Sequence, residues 1–177
     1  MTQLPWESPG VTALIVPATE AEPVLGRLRQ RYTPSGSEGV PAHVTLIAPF
    51  APAPVLPPLL PELEALVASW RAVPFTLRRV RRWPSIVWLD PDPSAPFAAM
   101  TDALVARFPA YPPYEGAHDE VIPHVTVATR EEEDVLDELA AELEPALPIT
   151  CAGDTVQLLQ RGDDLRWHER LAWQLVA

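Results

Sequence analysis

The chain has 177 residues, a formal net charge of −11 and a single cysteine. The negative charge disfavours long or duplex nucleic acid, because binding phosphates in number requires Lys and Arg, and it favours a small ligand or a single-stranded end. One cysteine excludes an internal disulfide, no apolar run is long enough to span a membrane, and residues 1–10 lack a signal-peptide pattern. A cytoplasmic protein that does not bind membranes is therefore expected.

Hydrophobic periodicity predicts strands and helices in alternation along the first half of the chain. Strands are expected at residues 11–17 and 43–48, and helices at residues 19–31 and 61–70. A turn at residues 33–36 and a proline-rich loop at residues 49–61 separate these elements.

The second half predicts a similar order of elements. Strands are expected at 74–80, 86–89 and 122–128, helices at 95–108 and 131–143, and a closing hairpin at 154–160 and 167–176. The acidic start of the helix at 131–143 suits the positive end of a helix dipole. Each half is centred on one strand that carries the tripeptide His-Val-Thr.

The two tripeptides, at 43–45 and 124–126, are the candidate catalytic groups. Side chains two residues apart on a strand share a face, so His43 projects with Thr45 and His124 with Thr126. If the two strands are neighbours, two imidazoles and two hydroxyls converge on one cleft. One imidazole can accept a proton and the other donate one, while the hydroxyls bind phosphate oxygens, which is what cleavage of a phosphodiester requires.

Other interpretations of these residues compete with catalysis. Each histidine alone is typical of a satisfied residue at a strand edge, and imidazole is also a zinc ligand, although no acidic or sulfur ligand lies at metal-like spacing. Arg130 is a candidate for phosphate contact, and Phe50, Trp83 and Tyr114 are candidates for stacking on a base. The arginines between residues 78 and 82 are expected on the solvated surface.

The motifs together resemble the two-histidine phosphoesterase superfamily. The segments 41–50 (PAHVTLIAPF) and 122–128 (IPHVTVA) are similar to its two signatures, and 85–89 (SIVWL) is similar to the segment before the second signature in the bacterial 2′-5′ RNA ligase-like branch. The resemblance extends over residues 11–143. It implies an α+β fold over residues 1–177, a single domain of two pseudo-symmetric lobes. Two antiparallel β-sheets would form a central cleft, with helices packed outside.

The same resemblance implies a reaction. Members cleave 2′,3′-cyclic phosphates or 2′-5′ phosphodiester bonds of nucleotides or RNA ends without a metal or another cofactor, or run the reverse ligation. One histidine would act as general base and the other as general acid, with the assignment open. A nucleotide- or partner-binding module with an idle site is the alternative from a different class of protein. The oligomeric state is not predicted.

Overall fold

The computed structural model describes residues 8–117, 121–129 and 131–177, which form two four-stranded sheets with helices around them. The strands are β1 (Thr12–Pro17), β2 (His43–Ile47), β3 (Phe75–Trp83), β4 (Ile86–Asp92), β5 (Val125–Thr129), β6 (Ile149–Cys151), β7 (Thr155–Arg161) and β8 (Trp167–Gln174). The helices are α1 (Glu22–Tyr32), α2 (Pro34–Ser37), α3 (Leu60–Ala68), α4 (Ala95–Arg107) and α5 (Glu133–Leu143).

The first sheet has the order β2-β1-β7-β8, and the strands that pair in it are antiparallel. Its central strand β1 is almost wholly buried, as the continuous apolar run predicted. The register sets Ile15 opposite Thr45 and Pro17 opposite His43. The first tripeptide therefore lies on an edge strand.

The second sheet has the order β5-β4-β3-β6 and is also antiparallel. Trp88 on β4 lies opposite Thr126, so the second tripeptide also lies on an edge strand. The sequence did not predict β6, because three residues are too few for a period of two to be visible. It is held by pairing with the start of β3, where Phe75 lies opposite Cys151.

Several element ends differ from the predicted ones for local reasons. A short 3₁₀ turn at Thr19–Ala21 precedes α1, which starts one residue before Pro23, a residue suited to the first helical turn. The strand β5 begins at Val125 and not at residue 122, since Pro123 has no N–H for a ladder bond. The predicted turn after α1 contains the short helix α2, capped by Thr33, whose hydroxyl accepts from the Gly36 N–H at 2.9 Å.

The packing of the helices crosses between the two halves of the chain. Helix α1, from the first half, lies against β5, whereas α4, from the second half, lies against β2. One continuous cluster of buried apolar side chains contains members of both sheets, and β2 also contacts β5. The two tripeptide strands are thereby fixed next to each other. No helix within the described residues has the length and apolar character needed to cross a membrane.

Candidate active site

The four predicted catalytic side chains line one cleft of about 660 Å³ between the sheets. His43 is the first residue of β2 and Thr45 lies two residues further on the same face, while the intervening Val44 is buried in the core. His124 immediately precedes β5, and Thr126 lies on it. Strand alternation thus turns both tripeptides towards the same space, as the sequence predicted.

Both imidazoles are held by their own backbone in the same way. Nδ1 of His43 lies 2.7 Å from the carbonyl oxygen of Pro41, and Nδ1 of His124 lies 2.7 Å from that of Ile122. Because a carbonyl oxygen only accepts, each Nδ1 carries a hydrogen and donates it. A neutral ring of either residue therefore keeps its unprotonated nitrogen, Nε2, for other partners. In His43 this nitrogen lies 3.1 Å from Oγ1 of Thr45, whose hydroxyl donates to it.

The surroundings of the two rings lower their affinity for a proton. Burial, and next the nearby positive charge of Arg29, lower the pKa of His43 to about 3, and His124 adds a smaller effect in the same direction. Burial also lowers the pKa of His124, against a hydrogen bond to the Ile122 carbonyl that raises it. Both rings are thus neutral at physiological pH before a ligand binds.

Two indole rings surround His124. The ring centroid of Trp83 lies 4.9 Å from that of His124 with the planes at 77°, and Trp88 lies at 6.0 Å with the planes at 72°. The two indoles themselves pack at 4.4 Å. Indole faces attract a cation within about 6 Å. Trp83 and Trp88 are therefore the aromatic rings in contact with His124 that could interact with a proton on it.

One side of the cleft is an apolar wall. Ile15, Val40 and Leu159 form a buried cluster separate from the main core, with Trp167 packed against it. Leu165 completes this wall in a turn between β7 and β8, where it is 48% exposed and has a positive φ of 61°. A leucine in the left-handed region is strained, so this turn holds an apolar side chain at the cleft against local preference.

The polar residues beside the apolar wall are already paired. Arg161 is 5% exposed and donates to Glu38 through both Nε, at 3.2 Å, and Nη2, at 2.8 Å. Both residues line the cleft. Because Glu38 already pairs with Arg161 in a partly buried ion pair, Arg161 is not an unpaired cation that could bind a second phosphate of a substrate.

The candidates for substrate contact have different locations. Tyr114 lines the cleft, with a positive φ of 50° and a pKa raised by burial. Trp83 contacts His124 but does not line the cleft. Phe50 is 2% exposed and packs edge-on against Phe108 and Tyr111 in the core. Arg130 lies outside the described residues.

The arginine cluster of β3 is at the surface, as expected, and three of its members pair with acidic side chains. Arg78 contacts Asp92 at 3.1 Å and Arg81 contacts Asp90 at 3.4 Å. Arg82 contacts both Glu133 and Asp137 at the start of α5. None of the cluster lines the cleft.

Sequence reasoning missed Arg29 and Thr129. Arg29 is 1% exposed and approaches the site from behind, where Nη1 donates to the carbonyl of Thr126. The sequence could have indicated Arg29, because it is a charged residue four positions after Leu25 and so lies on the buried face of an amphipathic helix. Thr129 lines the cleft, and its Oγ1 is buried without a hydrogen-bond partner among the described residues.

Within 8–117, 121–129 and 131–177, no group of three or more His, Cys, Asp or Glu side chains is placed to hold a metal ion.

Comparison with known structures finds the same fold. The crystal structure of E. coli LigT complexed with 3′-AMP matches with a TM-score of 0.60 and 17% identity, covering 96% of this chain and 100% of that one. LigT complexed with NADP+ matches with a TM-score of 0.59 and 17% identity, covering 96% and 99%. A crystal structure described as a phosphoesterase matches with a TM-score of 0.55 and 16% identity, covering 96% and 100%.

Sequence comparison extends this likeness to a family. A search of curated proteins gives no match. The family model described as "2'-5' RNA ligase superfamily" matches residues 16–165, which include both His-Val-Thr tripeptides and the strands β2 and β5 that carry them. On this match the chain belongs to the 2′-5′ RNA ligase superfamily of two-histidine phosphoesterases.

Proposed function

We propose that this protein is a metal-independent phosphodiesterase that hydrolyses 2′,3′-cyclic phosphates or 2′-5′ phosphodiester bonds of nucleotides or RNA ends. The observation that carries the proposal is the pair of imidazoles in one cleft, each with Nδ1 fixed on the carbonyl two residues earlier. Two such rings supply a proton acceptor and a proton donor through Nε2, which is sufficient for this reaction.

The unequal neighbours of the two rings support an assignment of roles. Burial and Arg29 keep His43 unprotonated in the free protein, so its Nε2 is available to accept a proton as general base. The indoles of Trp83 and Trp88 favour a proton on His124, so His124 suits the general acid. The anionic phosphate of a bound substrate raises the pKa of both rings, which allows His124 to carry its proton in the complex.

Hydrolysis of a 2′,3′-cyclic phosphate then balances with these two groups. Nε2 of His43 takes a proton from water as its oxygen attacks phosphorus, forming a new P–O bond. One ring P–O bond breaks, and the departing ribose oxygen takes the proton from Nε2 of His124. The products are a phosphomonoester, a protonated His43 and a neutral His124, and exchange with solvent restores the starting protonation.

The threonines support this step by binding the non-bridging oxygens. In the ligand-free cleft, the Thr45 hydroxyl donates to Nε2 of His43 at 3.1 Å. A bound phosphate takes over this donor, which releases Nε2 to act on water. Thr126 occupies the matching position on β5 and donates to the second oxygen.

The cleft favours one nucleotide unit over a long strand. A volume of about 660 Å³ is in the range of small-molecule sites. Beyond the phosphate position, the wall of Ile15, Leu159 and Trp167 offers apolar contact for a base, while the arginine beside it is neutralised by Glu38. The net charge of −11 also opposes a polyanion. The LigT structures that share this fold hold 3′-AMP, ATP and NADP+, which are small nucleotide ligands and not polynucleotides. The buried Cys151 and the single-cysteine composition fit the cytoplasm as its location.

The test is turnover of the four 2′,3′-cyclic nucleotides and of 2′-5′-linked dinucleotides in the presence of EDTA. We expect the wild type to release phosphomonoesters, and His43→Ala and His124→Ala each to lose at least about 100-fold in kcat. His168→Ala is the matched control, because His168 is exposed on β8 and pairs with Asp164 away from the cleft. Retained turnover in either cleft variant, dependence on added metal, or joining of RNA ends without hydrolysis would overturn the proposal.

A further inference from the structure

Helix α1 carries two charged residues on the face that it turns towards the protein. Glu22 and Arg29 are separated by seven residues, or nearly two full turns, so they lie on the same side of the helix. Arg29 is among the largest fully buried side chains of the chain. A buried guanidinium is costly unless it is hydrogen-bonded, so its partners show what the charge is fixed to.

The guanidinium of Arg29 bridges β5 and the segment that leads into β2. Nη1 donates to the carbonyl of Thr126, itself one of the four cleft residues, on the edge strand β5. Nη2 lies 3.4 Å from the carbonyl of Val40, three residues before His43, and 3.4 Å from Oγ of Ser35. One side chain therefore spans the main chain of one sheet and the segment that leads into β2 of the other.

Glu22 fixes the opposite end of the same helix face. Its Oε1 accepts from the N–H of Ala42, the residue before His43. Its negative charge also opposes the loss of charge that burial imposes on Arg29, whose pKa is lowered to about 10 and which therefore stays protonated near neutral pH. Helix α1 thus contacts the main chain just before His43 through Glu22. It contacts the main chain of the second motif, at Thr126, through Arg29.

A helix of the other half makes a contact of the same kind. Thr101 on α4 is buried, and its Oγ1 donates to the carbonyl of Leu46 on β2 at 2.8 Å. In each half, a helix side chain binds a carbonyl of the tripeptide strand that belongs to the other half. The arginine differs from the threonine in carrying a charge and in also reaching the segment that leads into β2.

We propose that Arg29 is a positioning residue that sets the separation of the two His-Val-Thr strands and places a fixed positive charge behind the reacting phosphate. This inference rests on the proposed function for its catalytic meaning, although the bridge itself is a feature of the fold. Arg29 does not line the cleft, so it acts through Thr126 and through the field at His43.

The field at His43 has several sources that the test must separate. Within the described part of the chain, the other titratable groups that line the cleft with His43 are His124, Tyr114 and the Glu38–Arg161 pair. The charges of Glu38 and Arg161 offset each other. His124 has a smaller effect on the pKa of His43 than Arg29 has. Removal of the Arg29 charge is therefore expected to dominate any change at His43.

The first experiment follows the imidazole resonances of His43 by NMR as the pH is lowered in the free protein. We expect Arg29→Met to raise the pKa of His43 by about one unit, and Arg29→Lys, which keeps the charge, to leave it nearly unchanged. Arg27→Met is the matched control, since Arg27 is exposed on the same helix. This measurement needs no turnover, so it remains informative if the proposed function fails.

The second experiment measures kcat and KM on a 2′,3′-cyclic nucleotide with the same variants. We expect Arg29→Lys to lower kcat by about tenfold or more with little change in KM, because a single ammonium cannot contact both β5 and the segment that leads into β2. Thr101→Val removes the matching uncharged contact, and we expect it to lower kcat without moving the pKa of His43. If Arg29→Met does not fold, Arg29→Lys and Thr101→Val still test the positioning role.

The outcomes separate the two proposals. If the wild type turns over no cyclic phosphate or 2′-5′ bond, the proposed function fails, and the NMR titration alone decides whether Arg29 sets the field at His43. If the wild type is active but Arg29→Lys keeps its kcat, and Arg29→Met does not move the pKa of His43, the positioning role is overturned. Variants that lose only thermal stability would show that Arg29 is a packing residue.

Discussion

Acidification from about pH 7 to about pH 4.5 is expected to destabilise this protein by about 2 to 3 kcal/mol through His43 alone. Burial and Arg29 hold the pKa of this ring at about 3 in the folded state, against 6.5 for an ordinary histidine. Below pH 6.5 the unfolded chain binds a proton that the folded chain refuses. The contribution of His43 to stability is therefore fully present above the pKa of the unfolded chain. It is lost as the pH falls towards the pKa of the folded state.

The assay is urea unfolding, followed by fluorescence, at several pH values across this range. With an m-value of about 2 kcal/mol per molar, the His43 contribution corresponds to a fall of roughly 1 M in the unfolding midpoint. His43→Asn keeps a donor for the Pro41 carbonyl but cannot titrate. Over the same pH range, its free energy of unfolding should therefore fall less than that of the wild type by the His43 contribution. His168→Asn, at an exposed position, should behave as the wild type.

Parallel pH dependences of unfolding for the wild type and His43→Asn would contradict a low pKa of His43. If His43→Asn loses the same free energy of unfolding as the wild type between these pH values, His43 titrates with an ordinary pKa in the folded state. The cleft would then be wetter than its burial indicates, and the assignment of His43 as the neutral base would lose its support.

Three further predictions concern turnover of a 2′,3′-cyclic nucleotide. Thr45→Val and Thr126→Val should each lower kcat by about 100-fold with little change in KM, because their hydroxyls bind oxygens whose charge grows in the transition state, as steady-state kinetics can show. Trp83→Leu should move the basic limb of the pH profile of kcat/KM to lower pH by about half a unit to one unit, since a cation–π contact to protonated His124 is lost. Trp167→Ala should raise KM for a cyclic nucleotide and leave kcat unchanged, as substrate-saturation curves will show, because the apolar wall contacts the base and not the phosphate.

The sequence predicted the framework well because the framework rests on periodic patterns. The continuous apolar run of β1 and the alternation at His43 and Thr45 are dictated by burial of one or both strand faces, which sequence spacing records directly. The three-residue β6 exists only because β3 offers it an edge at Phe75, and no local pattern reports such a partner. The start of β5 shifted for a local reason that the sequence did contain, namely Pro123.

The contacts that tune the site were much less visible in the sequence. A charge at a buried helical position was the signal for Arg29, but its partner, the Thr126 carbonyl, lies 97 residues away in the chain. Trp83 was considered as a stacking platform for a base, whereas the structure places its ring against His124. Long-range partners of this kind depend on how the two sheets dock, which single-sequence reasoning does not reach.

The two tripeptides illustrate where chemical difference comes from in a pseudo-symmetric site. Their residues are identical and their histidines are held by the same carbonyl contact, although Thr45 also donates to Nε2 of His43. The residue types of the motifs therefore do not by themselves distinguish an acid from a base. The difference enters through neighbours supplied by other elements, a buried cation from α1 behind His43 and two indoles from β3 and β4 beside His124. A division of labour between two equal groups therefore requires asymmetric packing behind them, and this fold provides it.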